Sequence, residues 1–384
     1  MITPSLKKPK PQRHNGISTK AIFFFGFIII LFLTCFIVQI RFLPMTITSS
    51  EITVTQKNKI TSITKGISPS AYRQVIQNVE IFVQTPYQDF EIEGIVLLFH
   101  GCSRDGKDWI RLPEDKRIMD YLTSEKRKLA AVAISSHDRE QSRCWSSTLP
   151  TSQNIDVINV KKILPSIYKD LLGDDTNSMG IPLYAIGASS GGSFVPILML
   201  EIPLKGMVCM ISPGTPAAFQ MHKPPYPKTA FVYMPRDQTF GSESNIKNSI
   251  SIMNQKDPST NVQLYSCDPK PVTASWLYEK MVPHLSIEQT ETILEILQTP
   301  PMDLIDPITG DVQRNPREKQ SLMESLSLWN EVDFSSGSGK EVFFISLGEI
   351  LNIAYGQHEM TSEHIEEVFD FLTSKHDSNI IDNS

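Results

Sequence analysis

Six short apolar runs, separated by stretches of helical periodicity, set the strongest limit on how this chain can fold. They are residues 94–99 (GIVLLF), 129–134 (LAAVAI), 182–186 (PLYAI), 207–211 (MVCMI), 231–234 (FVYM) and 262–266 (VQLYS). Runs this short and this uniformly apolar suit parallel strands covered on both faces; a sheet with one wet face would alternate polar and apolar residues. The stretches between them read as helices. Residues 113–128 begin with Glu114 and Asp115 and end with Lys126, Arg127 and Lys128, which complements the dipole at each end. Residues 155–172 gather Ile155, Ile158, Ile163, Ile167 and Leu171 roughly on one face, with Gly173 as a stop. A further helix covers 193–201. This alternation predicts an α/β fold, a mostly parallel central sheet flanked by helices.

The rhythm breaks over residues 269–340, which read as an inserted helical subdomain. Residues 286–297 (SIEQTETILEIL) form its clearest helix, a Pro300-Pro301 turn and Gly310 follow, then a helix over 317–329, and 335–339 (SSGSG) is a flexible link. Residues 341–354 read as helix, although VFFISL alone also suits a strand, and 362–373 form an amphipathic closing helix. The core is therefore expected over 75–268 and 341–384. Ahead of it, residues 41–74 are rich in Ser and Thr and read as a stem, with some Ile/Thr alternation that leaves a short strand open.

Residues 21–40, AIFFFGFIIILFLTCFIVQI, contain no charged side chain. Twenty residues at about 1.5 Å each cross a hydrocarbon core of about 30 Å. A cleaved signal peptide would have a shorter apolar run and a small-residue site, but Arg41-Phe42-Leu43-Pro44 follows here, so an uncleaved transmembrane signal-anchor is expected. Lys7, Lys8, Lys10, Arg13 and Lys20 precede it, against Arg41, Lys57 and Lys59 after it. That asymmetry places a cytosolic tail at 1–20 and the rest of the chain in a lumen or outside the cell. The net charge of −6, with no basic patch interleaved with aromatics, gives no reason to expect nucleic acid. No C-x-x-C occurs, so no structural zinc site is expected, and no metal or organic cofactor is needed.

The chemistry concentrates at residues 187–192, GASSGG, directly after PLYAI. This is G-x-S-x-G at a strand-to-helix turn. A serine there takes a strained conformation that lifts its hydroxyl off the sheet edge, and residues two before and two after must be small. Gly187 and Gly191 satisfy that for Ser189; Ala188 and Gly192 make Ser190 the fallback. The plain structural reading is a glycine-rich turn that packs a helix close to the sheet.

With Phe99-His100-Gly101-Cys102-Ser103 after GIVLLF, the chain resembles the α/β-hydrolase superfamily in its esterase, lipase and peptidase branches. The resemblance covers roughly 78–375 outside the insertion. It implies a serine hydrolase in which Ser189 is the nucleophile, an acid follows a late strand, and a histidine comes last. By that order His100, His137 and His222 come too early, and His100 braces the turn. His358, in a loop before the last helix, is the implied base, with His284 as rival; His364 reads as a solvated helix residue and His376 lies beyond. Asp237, after FVYM, is the implied acid, with Asp268 as alternative and Arg236 as a surface charge. The oxyanion donors would be the backbone N–H groups of Cys102, or Ser103, and Ser190; Cys102 replaces a glycine of the lipase HGGG form. Cys102 and Cys144 follow neighbouring strands, and both a disulfide and two free thiols are open. Cys209 reads as core, and Trp145 as a pocket wall. The insertion 269–340 reads as a lid. Together these imply hydrolysis of a small-molecule or lipid ester through an acyl-enzyme, with a peptide or amide less favoured. The competing readings are a non-catalytic membrane-tethered binding module on the same fold, and a single-pass anchor protein in which the motifs are accidental.

Overall fold

The computed structural model describes residues 58–59, 71–87, 90–173, 180–238, 240–281, 285–325, 329 and 339–374. All belong to one unit, Val54–Ser384. The expected tail, the signal-anchor 21–40 and most of the 41–74 stem lie outside the described residues. Among the described residues, no helix is long and apolar enough to cross a membrane.

The strands are β1 (Asn58–Lys59), β2 (Ala71–Ile76), β3 (Val79–Gln84), β4 (Gly94–Phe99), β5 (Leu129–Ile134), β6 (Leu183–Ala188), β7 (Gly206–Met210), β8 (Lys228–Tyr233) and β9 (Val262–Ser266). They form one sheet in the order β1-β2-β3-β5-β4-β6-β7-β8-β9. The pairs β1–β2, β2–β3 and β3–β5 are antiparallel and the rest are parallel. This arrangement fits the α/β-hydrolase fold. The six apolar runs are β4 to β9, within two or three residues at their ends. The antiparallel edge reaches further back than the apolar rhythm indicates, because β2 is half exposed. Its partner β3 follows through a two-residue turn at Gln77 and Asn78, with φ of 50° and 67°. Two such residues match the right-handed twist of a hairpin.

Alternate residues of the buried strands face opposite layers. Val96, Leu98, Ala131, Ala133, Ile186 and Val208 enter one core, and Ile95, Leu97, Phe99, Val132, Ala185 and Cys209 the other. The second core is covered by α2 (Ile155–Leu172), α3 (Ser190–Leu198), α4 (Pro216–Met221) and α5 (Glu243–Lys256). The first is covered by α1 (Pro113–Leu122), α9 (Gly339–Tyr355) and α10 (Ile365–Thr373). It is shared with the 269–340 region, which supplies α6 (Ala274–Met281), α7 (Ile287–Gln298) and α8 (Gln320–Ser325). Leu277, Ile293, Leu297 and Met323 of that region are fully buried against the sheet's own core.

Local rules explain the helix ends. Asn154 caps α2 by accepting from the N–H groups of Asp156 and Val157, and Gly173 ends it with φ 77°. α1 stops at Leu122, six residues short of the charge pattern: Thr123 leaves the helical conformation at ψ 3°, and the Ser124 N–H bonds the Tyr121 carbonyl in a tight turn. VFFISL is helical, inside α9.

The chain runs from β4 to β5 on one side and returns across β4 to β6 on the other. Such a reversal opens a crevice beyond the carboxyl ends of the strands. The register Phe99↔Gly187 sets the 100–103 turn beside Ser189 at that crevice.

Candidate active site

Ser189 lies between β6 and α3 with φ 52° and ψ −112°. A β-carbon cannot ordinarily hold that conformation, and the surroundings enforce it. A Cβ on Gly187 would lie 2.2 Å from the Gly191 carbonyl oxygen, and one on Gly191 would lie 2.3 Å from the Phe99 carbonyl oxygen. The two glycines therefore let the turn close on itself and on the end of β4. The Ser189 N–H donates to the Met210 carbonyl at 2.9 Å, tying the turn to β7 as well.

His358 follows α9. The helix ends as the Gly356 N–H donates to the Asn352 carbonyl, with φ 78° at the glycine. Two residues on, His358 has φ 26°, again a left-handed value for a non-glycine residue. The loop is held from both sides: the Arg236 N–H donates to the Gly356 carbonyl at 2.9 Å, and Arg317 donates to the His358 carbonyl. Arg236 is exposed, as a surface charge should be, and its guanidinium also lies 4.4 Å from the centre of the Tyr355 ring.

These loops bring three side chains into one line. Ser189 Oγ lies 3.0 Å from His358 Nε2, and His358 Nδ1 lies 2.5 Å from Asp237 Oδ2. Asp237 is buried, at 3% exposure, so its charge faces the imidazole rather than water. Residues 189, 237 and 358 come from the ends of β6, β8 and α9, and 121 residues separate the last two. The alternatives lie elsewhere. Ser190 Oγ accepts from the Trp145 N–H at 3.4 Å. Asp268 accepts from the Ser266 hydroxyl at 2.8 Å. His364 is not a solvated helix residue; it precedes α10, and its Nε2 bonds the Ser266 carbonyl at 2.9 Å. His284 and His376 lie outside the described residues.

His100 is a brace. Its Nε2 accepts from the Ser136 N–H at 3.1 Å, so Nδ1 carries the proton and donates to the Gly101 carbonyl at 2.7 Å. Burial pushes its pKa down to about 4, so the ring stays neutral and keeps this tautomer. The turn it braces approaches the serine closely: a Cβ on Gly101 would lie 3.6 Å from Ser189 Cβ. The Ser103 N–H is already used, donating to the Ser142 carbonyl at 2.8 Å. Among the described residues, the Cys102 N–H makes no such backbone hydrogen bond. Ser190 opens α3, where first-turn N–H groups lack helical partners. Cys102 and Cys144 form a disulfide that closes the loop behind this turn. Trp145, expected in the pocket wall, instead stacks on Phe194 at 4.7 Å and packs against Phe99 in the second core; its large apolar surface is better buried there.

A cavity of about 620 Å³ opens over Ser189 and His358. Its lining includes a group of charged and polar side chains, which the sequence did not reveal. Arg104, Asp115, Glu349 and Asn352 are among them, with Arg317 and Glu359 at the side of the His358 loop. Arg104 pairs with Glu349, and Arg317 with Glu359 at 3.4 Å. Burial drives the carboxyls of Asp115 and Glu349 upward in pKa; the Glu349 charge raises Asp115 further, and the Glu359 charge raises Glu349. Among the described residues, no group of three or more His, Cys, Asp or Glu side chains is arranged to hold a metal ion.

No protein-family model matches the chain, and no curated protein sequence does. Several solved structures overlay part of it. A predicted CIB-like hydrolase from Thermoplasma acidophilum covers 61% of this chain and 99% of its own, at 16% identity and a TM-score of 0.37. An S-formylglutathione hydrolase from Agrobacterium tumefaciens covers 55% and 91%, at 12% identity and a TM-score of 0.41. An acetyl xylan esterase from Aspergillus awamori covers 56% and 92%, at 13% identity and a TM-score of 0.37. These overlaps are partial, and the reading of the site rests on its own geometry.

Proposed function

We propose that this chain is a serine hydrolase that cleaves a carboxylic ester through an acyl-enzyme. The observation that carries the reading is the line of contacts from Ser189 Oγ through His358 to buried Asp237. Ser189 attacks the ester carbonyl carbon while His358 Nε2 takes the hydroxyl proton. Asp237 holds the imidazole with Nδ1 protonated and stabilises the imidazolium that forms. The N–H groups of Cys102 and Ser190 receive the developing oxyanion, a contribution typically of about 10²–10³ in rate for each donor. His358 returns the proton to the departing alcohol; a water then attacks the acyl-enzyme by the same route and releases the acid. The charged cavity wall favours a small polar ester over a lipid. The insertion 269–340 contributes Arg317 and Gln320 to the same cavity, which supports its role in shaping the pocket.

The reading extends to location. Residues 21–40 anchor the chain in a membrane, with the N-terminus cytosolic and the catalytic unit lumenal or extracellular. The Cys102–Cys144 disulfide supports this, because such bonds persist in oxidising compartments. The test of activity is labelling by a fluorophosphonate probe and turnover of a panel of acyl esters. Wild type is expected to label and Ser189→Ala to lose both; equal labelling of the two removes Ser189 as nucleophile. Protease protection on intact membranes tests the orientation.

A further inference from the structure

The polar cavity wall contains hydrogen-bond acceptors that nothing in the described structure satisfies. Asp115, in the first turn of α1, is 5% exposed, lines the cavity, and has no hydrogen bond or ion pair among the described residues. Glu349 gives one oxygen to Arg104, but its Oε2 is buried without a partner. Asn352, one turn further along α9, donates its Nδ2 to Glu359 at 3.0 Å; that fixes the amide orientation and leaves Oδ1 buried and unsatisfied. So Asp115 lines the cavity without a hydrogen bond, and on α9 two acceptors, Glu349 Oε2 and Asn352 Oδ1, are buried without donors. Buried polar groups left in this state are unfavourable, and a ligand that brings donors to this wall, with a small rotation of the two side chains, offsets part of that cost.

The charge count identifies the ligand further. Arg104 is matched by Glu349, and Arg317 by Glu359. Asp115 feels the Arg104 charge at longer range but has no ion pair of its own, so three carboxyls share two guanidiniums. A neutral polyol would supply donors but leave the Asp115 carboxyl either charged without a partner or protonated. A primary ammonium supplies three N–H donors and the missing positive charge together.

We infer that the wall formed by Asp115, Glu349 and Asn352 is a subsite for a primary ammonium group, so that the substrates are esters carrying a protonated amine. This rests on the reading of Ser189 as nucleophile in the same cavity. Asp115 acts in binding and touches the substrate's remote end, not the reacting carbonyl. The rise in the Asp115 carboxyl's pKa through burial accords with a site that is incomplete until a cation arrives.

The test uses the full chain and two esters of matched shape, 4-nitrophenyl 6-aminohexanoate and 4-nitrophenyl heptanoate, which differ by an ammonium in place of a methyl. Wild type should favour the amine ester in kcat/KM by at least about tenfold, and Asp115→Asn should bring the ratio to one or below. The ratio is taken within each protein, so a general loss of activity or folding cancels. Cleavage of the heptanoate without preference for the amine overturns the subsite and leaves the nucleophile standing. So does a stronger preference for an acetylated sugar. If neither ester is cleaved and no probe labels Ser189, the nucleophile reading fails. Calorimetry then decides the subsite alone: n-butylammonium binding, with none for n-butanol, supports it, and equal or absent binding of the two refutes it.

Discussion

Glu114→Gln should destabilise the protein by about 3 kcal/mol at pH 7, and most of that effect should vanish in acid. Glu114 is 1% exposed and holds three elements together. It accepts from Arg117 of its own helix and from Lys280 of α6 at 2.9 Å, and from the Ser362 N–H and hydroxyl, both at 2.7 Å. Burial alone would raise its pKa, but Lys280, Arg117 and the Ser362 N–H outweigh that and hold it down at about 2, against an ordinary 4.5. At about 1.36 kcal/mol per pH unit, that depression is worth about 3 kcal/mol. A depressed carboxyl stabilises above its unfolded pKa, and the contribution is lost as pH falls from 4.5 towards 2. Urea unfolding of wild type and Glu114→Gln at pH 7 and pH 3 measures this. The difference should be about 3 kcal/mol at pH 7 and roughly 1 kcal/mol at pH 3. A difference under about 1 kcal/mol at pH 7, or one unchanged at pH 3, refutes the reasoning. Because Ser362 lies four residues after His358, the variant should also lose kcat at pH 7, through misplacement of the loop.

Three further outcomes follow from the site and its supports. Asp237→Asn should keep the fold and lower kcat by about 10⁴, because the imidazole loses its orienting charge; a loss under tenfold in stopped-time ester assays contradicts the role. Gly191→Ala would drive a Cβ to 2.3 Å from the Phe99 carbonyl oxygen, so it should be destabilised by about 1–3 kcal/mol or more and lose probe labelling; wild-type melting and labelling would show that the turn is not so confined. Replacing Cys102 and Cys144 by serine removes a cross-link spanning 42 residues, which should lower stability by about 4 kcal/mol and reduce turnover by loosening the oxyanion turn; unchanged calorimetric melting contradicts this.

What the sequence discloses here follows from how local each constraint is. β4 to β9 are legible because strands covered on both faces must be apolar throughout. β2 is not, because it is half exposed and shows no such run. The Ser189 turn is legible because its steric demand falls on neighbours two positions away. His358 and Asp237 are reached only through the chain order that the family resemblance implies, since nothing local marks them. The cavity wall is hidden because Arg104, Asp115 and Glu349 come from separate segments, and each has an ordinary local explanation. Asp115 reads as a first-turn acid suited to the helix dipole. Glu349 carried the one available signal, the single charge in the stretch VFFISLGEILNIA of α9. Trp145 misleads in the opposite way, since a large aromatic beside a cysteine at the sheet edge suits a pocket as well as the core that it fills.

The central claim is that the hydroxyl of residue 189 is the nucleophile that forms the covalent intermediate. Intact-mass measurement of the full chain after brief exposure to a fluorophosphonate, followed by peptide mapping, tests it most directly. A single adduct on the peptide carrying Ser189, absent from the His358→Ala protein over the same interval, is the predicted result. An adduct on another residue, or none on a folded protein, contradicts it.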